Sequence, residues 1–276
     1  MTIRACVLRI EGTNCELETA RALELAGAEP ELVHLKQLEH SADTPRDQWR
    51  SLLEYHILVI PGGFSAGDSV RAGAILAARM KSTLAAQLRQ FVEQGRPVGG
   101  ICNGFQVLVE LGLLPGLSAL MTDKPEACLS SNASGRFECR PVLLAHVNRG
   151  NCAWTRGLDG EPRLMPVAHG EGRFLLAPGK EQALLDQLIT NDQIVFRYAR
   201  PDGSPAEGAY PHNPNGALYD IAGICNRLGN VMGMMPHPER VCDRLLNPDW
   251  TRKQRPRAGL PLFEAIVRYA GDKVSM

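Results

Sequence analysis

The stretch "PVGGICNGFQVLVELG", residues 97–112, decides how this chain is read. An apolar run ends in glycines, a cysteine follows in the pattern G-x-C-x-G (Gly100 to Gly104), and a second apolar run begins. This is the nucleophile-elbow pattern with sulfur in place of hydroxyl. A turn from strand to helix that tight requires residues without a Cβ two positions either side of the nucleophile. Cys102 then stands clear of a sheet at a helix N-terminus, where unpaired N–H groups favour a thiolate. The N–H of Asn103 can point at a developing oxyanion. The motif by itself is also compatible with a buried strand-end cysteine, since cysteine is commonly buried. "GICN" recurs at 223–226, but there Arg227 replaces the second glycine and no helix follows, so Cys225 reads as structural.

Around the elbow, strand and helix signals alternate. "IRACVLRI" is a strand candidate, and a helix follows over about residues 15–27, stopped by Gly27. "HILVIPGG" is a buried strand ending in glycines. Asp68 is a candidate cap for a helix starting near Ser69, and a further helix covers "STLAAQLRQFVEQG" up to Gly95. "RPVGGIC" is the next strand and "NGFQVLVELG" the next helix. This predicts an α/β fold: an open, mostly parallel twisted sheet with helices on both faces, of the flavodoxin-like kind. Ligands bind at the carboxyl ends of such strands, where "PGGFSAGD" and "GICNG" fall. In the second half, "CRPVLLAHV", "PRLMPVAHG", "QIVFRYA", "DIAGICN" and "NVMGMMPHPE" read as short strands added antiparallel to the sheet. We expect one domain over 1–276, with 241–276 forming a basic loop and a C-terminal helix.

The 276 residues carry 30 basic and 30 acidic side chains, so no net field attracts nucleic acid or a membrane surface. Arg9 and Glu11 interrupt the N-terminal apolar run, which argues against an export signal, and no run approaches the ~20 apolar residues of a membrane span. The eight cysteines show no C-x-x-C spacing. Zinc is therefore not expected, and reduced thiols in the cytoplasm are.

A nucleophilic thiol needs a base. Among seven histidines, His237 in "GMMPHPERV" stands out, because Glu239 lies two residues on and, in an extended segment, leans the same way. Pro236 and Pro238 stiffen the presentation. The alternative is a proline-rich surface turn. Gly62 and Gly63 in "VIPGGFS" offer backbone donors at a strand end, where main chain can approach a ligand closely.

Taken together, these pieces resemble the class I (triad) glutamine amidotransferases. "PGGFSAGDSVRAGAI", "GICNGFQVLVELGLLPG", "AHGEGRF", "NPNG" and "MMPHPER" are similar, within that group, to the glutaminase subunits of phosphoribosylformylglycinamidine synthase. The resemblance runs from about residue 3 to 240. It implies that Cys102 attacks the carboxamide of glutamine, that His237 relays protons, and that Glu239 orients His237. It further implies that the N–H groups of Gly63 and Asn103 hold the oxyanion, and that Gln106 contacts the amino-acid end of glutamine. Gly62, Phe64, His169, Asn213 and Arg71 would line the pocket. His169 is a rival base, ranked second because Glu171, followed by Gly172, is loosely held. The chain carries no cofactor motif of its own, lacking both GxxxxGK[ST] and a GxGxxG that opens a helix after a strand. The resemblance places ATP and magnesium on a partner, the large synthetase subunit, often with a small third subunit. That partner turns formylglycinamide ribonucleotide into the amidine in purine synthesis.

Ala66 and Ser69 depart from the family pattern, which has bulkier residues there. The extension 241–276 reads either as a surface for a different partner arrangement or as a peripheral elaboration. Three alternatives stay open on sequence: a triad amidotransferase serving a different synthetase, a cysteine peptidase or hydrolase on the same elbow, and a binding protein without chemistry.

Overall fold

Alternating buried strands and amphipathic helices build the first half of the computed structural model, which describes residues 2–68, 71–247, 250–252 and 257–274. The elements are β1 (Arg4–Arg9), α1 (Glu16–Leu25), β2 (Glu29–His34), α2 (Leu35–Leu38), β3 (Ile57–Ile60), α3 (Ala74–Glu93), β4 (Val98–Ile101) and α4 (Asn103–Glu110). The second half adds β5 (Ala127–Ser130), β6 (Glu138–His146), β7 (Arg163–His169), β8 (Arg173–Leu176), α5 (Glu181–Thr190), β9 (Ile194–Ala199), β10 (Ile221–Cys225), β11 (Val231–Met234) and α6 (Leu260–Val274).

Nine of these strands form one sheet in the order β2-β1-β3-β4-β11-β10-β9-β6-β7, and β5 pairs with β8 apart from it. The pairs from β2 through β11 are parallel. Those from β11 through β7 are antiparallel. Every residue of β3 and β4 is buried, as expected of parallel strands covered on both faces. The α/β expectation therefore holds.

Four details differ from the sequence reading. β11 is not simply an antiparallel addition: it pairs parallel with β4, from Val231 opposite Val98 to Met234 opposite Ile101. All four of its residues are buried, so it belongs at the centre of the sheet. The carboxyl ends of β4 and β11 thus lie side by side, and the Cys102 N–H donates to the Met234 carbonyl at 2.8 Å. The two helices expected around residues 69–95 are one, α3. Nothing between Ala74 and Glu93 breaks it, and Leu76, Met80, Leu84, Leu88 and Phe91 form one buried stripe. It begins behind Gly73 (φ 79) with no side-chain cap, so the expected Asp68 cap is not used. Ser69 lies outside the described residues.

The fourth difference is the C-terminal segment. Leu260, Leu262, Phe263, Ile266 and Ala270 of α6 are buried in the core. Each large apolar side chain so buried contributes about 1.5–3 kcal/mol, which a peripheral elaboration would not. Gly259, just ahead of α6, abuts the segment that carries the candidate base: a Cβ there would fall 1.8 Å from the Pro238 carbonyl oxygen. Gly259→Val must therefore displace the peptide between His237 and Glu239. The expected result is a loss of about 1–3 kcal/mol in stability and a fall of at least about tenfold in glutamine turnover. Thermal unfolding together with initial rates checks it; wild-type values for both would contradict it.

Candidate active site

Cys102 occupies the bend between β4 and α4 with φ 52 and ψ −106, a backbone setting L residues rarely adopt. Its carbonyl accepts from the N–H groups of Phe105 and Gln106 at 3.0 and 3.2 Å. Both flanking glycines are required by contact. A Cβ on Gly104 would lie 1.9 Å from the Ile60 oxygen, and one on Gly100 would lie 2.5 Å from the Gly104 oxygen. The Cys102 sulfur sits 3.7 Å from the Ala168 carbonyl at the end of β7.

β11 delivers the second component. His237 Nδ1 meets Glu239 Oε1 at 2.5 Å, and both residues are only 2% exposed. Burial disfavours the imidazolium, but the Glu239 carboxylate, followed by the Cys102 sulfur, outweighs it and raises His237 well above the ordinary histidine range. The His237 backbone N–H donates to Pro166 of β7 at 2.9 Å, fixing the segment. Nε2, turned away from Glu239, is the ring nitrogen left for the sulfurs of Cys102 and Cys15, both of which hydrogen-bond the imidazole and favour its charged form. Gly62 makes the assembly fit. The place its Cβ would take lies 2.8 Å from His237 Cε1, 3.2 Å from Cys15 Sγ and 3.4 Å from Cys102 Cβ.

Cys15 is a neighbour the sequence reading did not single out. Its thiol, His237 and Glu239 bring donor atoms within 4.8 Å of one another, a set that could in principle hold a metal ion. The pairing between His237 and Glu239 already occupies two of those three groups. The Arg240 guanidinium donates to Cys15 Sγ at 3.0 Å and lies 4.0 Å from Glu239 Oε1, so a cation already borders the cluster. That charge pattern suits an anchored imidazole–carboxylate pair.

The glycine turn after β3 is braced by residues 12–15. The Gly62 carbonyl accepts from the N–H groups of Asn14 and Cys15 at 3.3 and 3.2 Å, and Phe64 N–H donates to Gly12 O at 2.7 Å. In a trans peptide the Gly63 N–H points opposite to the Gly62 carbonyl, hence away from that brace. Asn103 ties the turn to α4, accepting from Ser65 N–H at 3.2 Å and donating to Gln106 Oε1 at 2.9 Å. Gln106 in turn donates to the Glu171 carbonyl at 2.6 Å. Phe64 is about half exposed at the rim of this turn. Ala66 takes a left-handed setting (φ 55) and donates its N–H to Glu11 O at 3.0 Å. Arg71 reaches outward to Glu110 at 2.6 Å.

His169 is buried and neutral: burial, then the nearby His237, push it down to about 4. Its ring faces Asn132, not an acid, which ranks it below His237 as base. Glu171 is not loosely held, because its carboxylate accepts from Ala72 N–H at 3.1 Å. Asn213 does not line a pocket with a free amide. It donates to Ala217 O and Asp220 Oδ1, and accepts from Gly216 and Ala217 N–H groups, so its bonding capacity is used within its own turn. Asn215, two residues on, is the one that reaches the site loop, donating to Gly172 O at 2.8 Å. Cys225 lies fully buried beside Cys152, whose hydrogen bond, with burial, pushes its thiol up. It fits the structural reading.

Glu239→Gln keeps the shape of the pair and removes its charge. The expected result is a loss of about 10³ in kcat for glutamine with little change in KM, since an orienting carboxylate acts on the transition state. Steady-state kinetics check it; a loss confined to KM would contradict the orienting role.

An elbow cysteine next to a buried imidazole–carboxylate pair just past the end of the adjacent strand is an arrangement suited to nucleophilic acyl transfer. Residues 2–270 match the family described as the CobB/CobQ-like glutamine amidotransferase domain, and the chain belongs to that family. It is 47% identical over 269 residues to the phosphoribosylformylglycinamidine synthase subunit PurQ of Archaeoglobus fulgidus, with 97% of each chain covered. It is 44% identical to the same subunit of Treponema denticola, covering 98% of this chain and 99% of that one. Among solved structures it is similar to a chain of PurLQS from Thermotoga maritima, with TM-score 0.69 and 32% identity, covering 98% of this chain and 99% of that one.

Proposed function

We infer that this chain is the glutamine amidotransferase subunit of phosphoribosylformylglycinamidine synthase, acting in purine biosynthesis with the large synthetase subunit, PurL, and a small third subunit, PurS. The relatives' names and the PurLQS likeness support it over nearly the whole chain. For the chemistry, the observation that carries the reading is the elbow at Cys102 set beside the His237–Glu239 pair at the ends of two neighbouring strands.

The Cys102 thiolate attacks the side-chain carbonyl of glutamine. The developing oxyanion is received by the N–H groups of Gly63 and Asn103. His237, protonated and held by Glu239, gives its proton to the departing nitrogen, so neutral ammonia leaves and a γ-glutamyl thioester remains. His237 then takes a proton from water, the hydroxide adds to the thioester, and glutamate departs as the thiol is restored. Ammonia must stay neutral and unhydrated to act as a nucleophile, which calls for a protected path into the partner. ATP and magnesium belong to that partner, and no resident metal is assigned to this chain. Among the described residues no helix is long and apolar enough to cross a membrane. A cytoplasmic setting suits the eight free cysteines.

The test combines the chain with the large synthetase subunit, the small third subunit, ATP, magnesium and formylglycinamide ribonucleotide. Amidine formation from glutamine should need this chain, and amidine formation from ammonia should not. A synthetase competent with ammonia that gains no use of glutamine from this chain would overturn the assignment.

A further inference from the structure

Asn132 follows β5 and is 3% exposed. Its amide orientation is dictated by its partners. Nδ2 donates to the His169 and Arg136 carbonyls, each at 2.8 Å. Turning the amide over would set oxygen against both carbonyls and nitrogen against an N–H. Oδ1 therefore faces the Gly172 N–H at 3.1 Å and the His169 Nδ1, also at 3.1 Å. A carboxamide oxygen can only accept, so the proton of His169 sits on Nδ1. The other ring nitrogen, Nε2, then carries a lone pair. It is buried and has no hydrogen-bond partner among the described residues.

The ring cannot turn to escape. Gly172 lies flat against it, and a Cβ there would come within 2.4–2.7 Å of Cε1, Nδ1 and Nε2. The Asn132 backbone N–H donates to Gly170 O at 2.9 Å, and Asn215 and Gln106 grip the same loop through the carbonyls of Gly172 and Glu171. One residue earlier, the Ala168 carbonyl is 3.7 Å from the Cys102 sulfur. A buried acceptor with no partner, on a ring close enough to His237 to feel its charge and next in the chain to the carbonyl that meets the nucleophile, calls for a ligand that donates.

We propose that Asn132 is a positioning residue that locks His169 as a neutral hydrogen-bond acceptor, and that Nε2 receives an N–H of glutamine. This rests on the glutaminase reading. Two groups of glutamine share that chemistry, the carboxamide N–H and the α-ammonium.

The test has two parts. In the wild-type full-length chain, ¹⁵N shifts of His169 should show Nδ1 protonated and Nε2 bare at neutral pH. A protonated Nε2 overturns the proposal before any variant is made. The second part is Asn132→Asp, which sets a carboxylate beside Nδ1, favours imidazolium and turns Nε2 from acceptor into donor, at the expense of the two bonds the amide nitrogen gives the His169 and Arg136 carbonyls. KM for glutamine should rise by about tenfold or more while kcat stays within about threefold, because a ground-state contact is lost and not the nucleophile. The γ-methyl ester of glutamate, which keeps the α-ammonium but lacks the carboxamide, distinguishes the two donors. An unaffected ester assigns the carboxamide, and an equal rise in KM assigns the ammonium. An unchanged KM for glutamine, or a loss in kcat alone that follows a lowered melting temperature, overturns the proposal. Wild-type glutaminase activity, measured alongside, shows independently whether the parent reading stands.

Discussion

Cys102→Ala is expected to remove glutamine-dependent activity by on the order of 10⁶ in kcat, which in practice is the limit of detection, since deleting a triad nucleophile has that scale. The same variant should leave the complex using ammonia at the wild-type rate. The reasoning is local. The sulfur is the only atom of that side chain beyond Cβ, and the bend holding it is made by backbone and by Gly100 and Gly104, which alanine at 102 does not disturb. Folding and partner binding should therefore survive. Separate assays with glutamine and with ammonium salt, in the assembled complex, check it. Retained glutamine use, or equal loss of both activities, would contradict a purely nucleophilic role. Cys15→Ser provides a control, because that thiol sits against the imidazole but not on the elbow. Its loss should leave the order of magnitude of kcat intact.

Gly104→Ala is the second large effect. The added methyl would fall 1.9 Å from the Ile60 oxygen and 2.7 Å from the Ile60 carbonyl carbon. Both belong to the backbone of β3, so no side-chain movement relieves the overlap. Either α4 retreats from the sheet or β3 moves. We expect about 3 kcal/mol or more of lost stability, read as a drop of about 5–10 °C in melting temperature. Glutaminase activity should fall by at least about 10² in the fraction that remains folded, because a shift near 1 Å at the nucleophile has that effect. Gly170→Ala provides the contrast: its Cβ would meet only the Phe137 ring, at 3.9 Å. That variant should behave like wild type in both assays. Equal behaviour of the two alanine variants would show that the elbow tolerates a side chain, against the contact geometry.

The pieces legible in sequence are those fixed by local stereochemistry. A tight bend needs glycines at set offsets, so Gly100, Cys102 and Gly104 announce the elbow; His237 and Glu239 do meet, but through the 3-10 turn Pro238–Val241 and not along the extended segment expected. What escaped depends on tertiary placement. β2 reads EPELVH, with charge and a proline, and is an edge strand in which alternation is weak. The short strands β5 and β8 pair only with each other, and neither alone carries a long enough pattern. β11 follows a turn from β10, which suggested a hairpin, and only its neighbour on the other side reveals the parallel pairing with β4. Cys15 and Asn132 carry no motif of their own, and Asn215 lies in NPNG without being singled out there. They matter because the fold brings residues 222, 37 and 43 positions away in the chain onto their side chains: His237 for Cys15, His169 for Asn132, Gly172 for Asn215. Asn213, which the resemblance implied for the pocket, spends its amide closing its own turn.

The most direct test of the account is covalent labelling with a diazoketone analogue of glutamine, followed by peptide mapping of the full chain. The prediction is one adduct, on Cys102, formed at a rate that falls when His237 is replaced by alanine and suppressed by excess glutamine. An adduct on Cys15, Cys139 or Cys225 with Cys102 unmodified would contradict it.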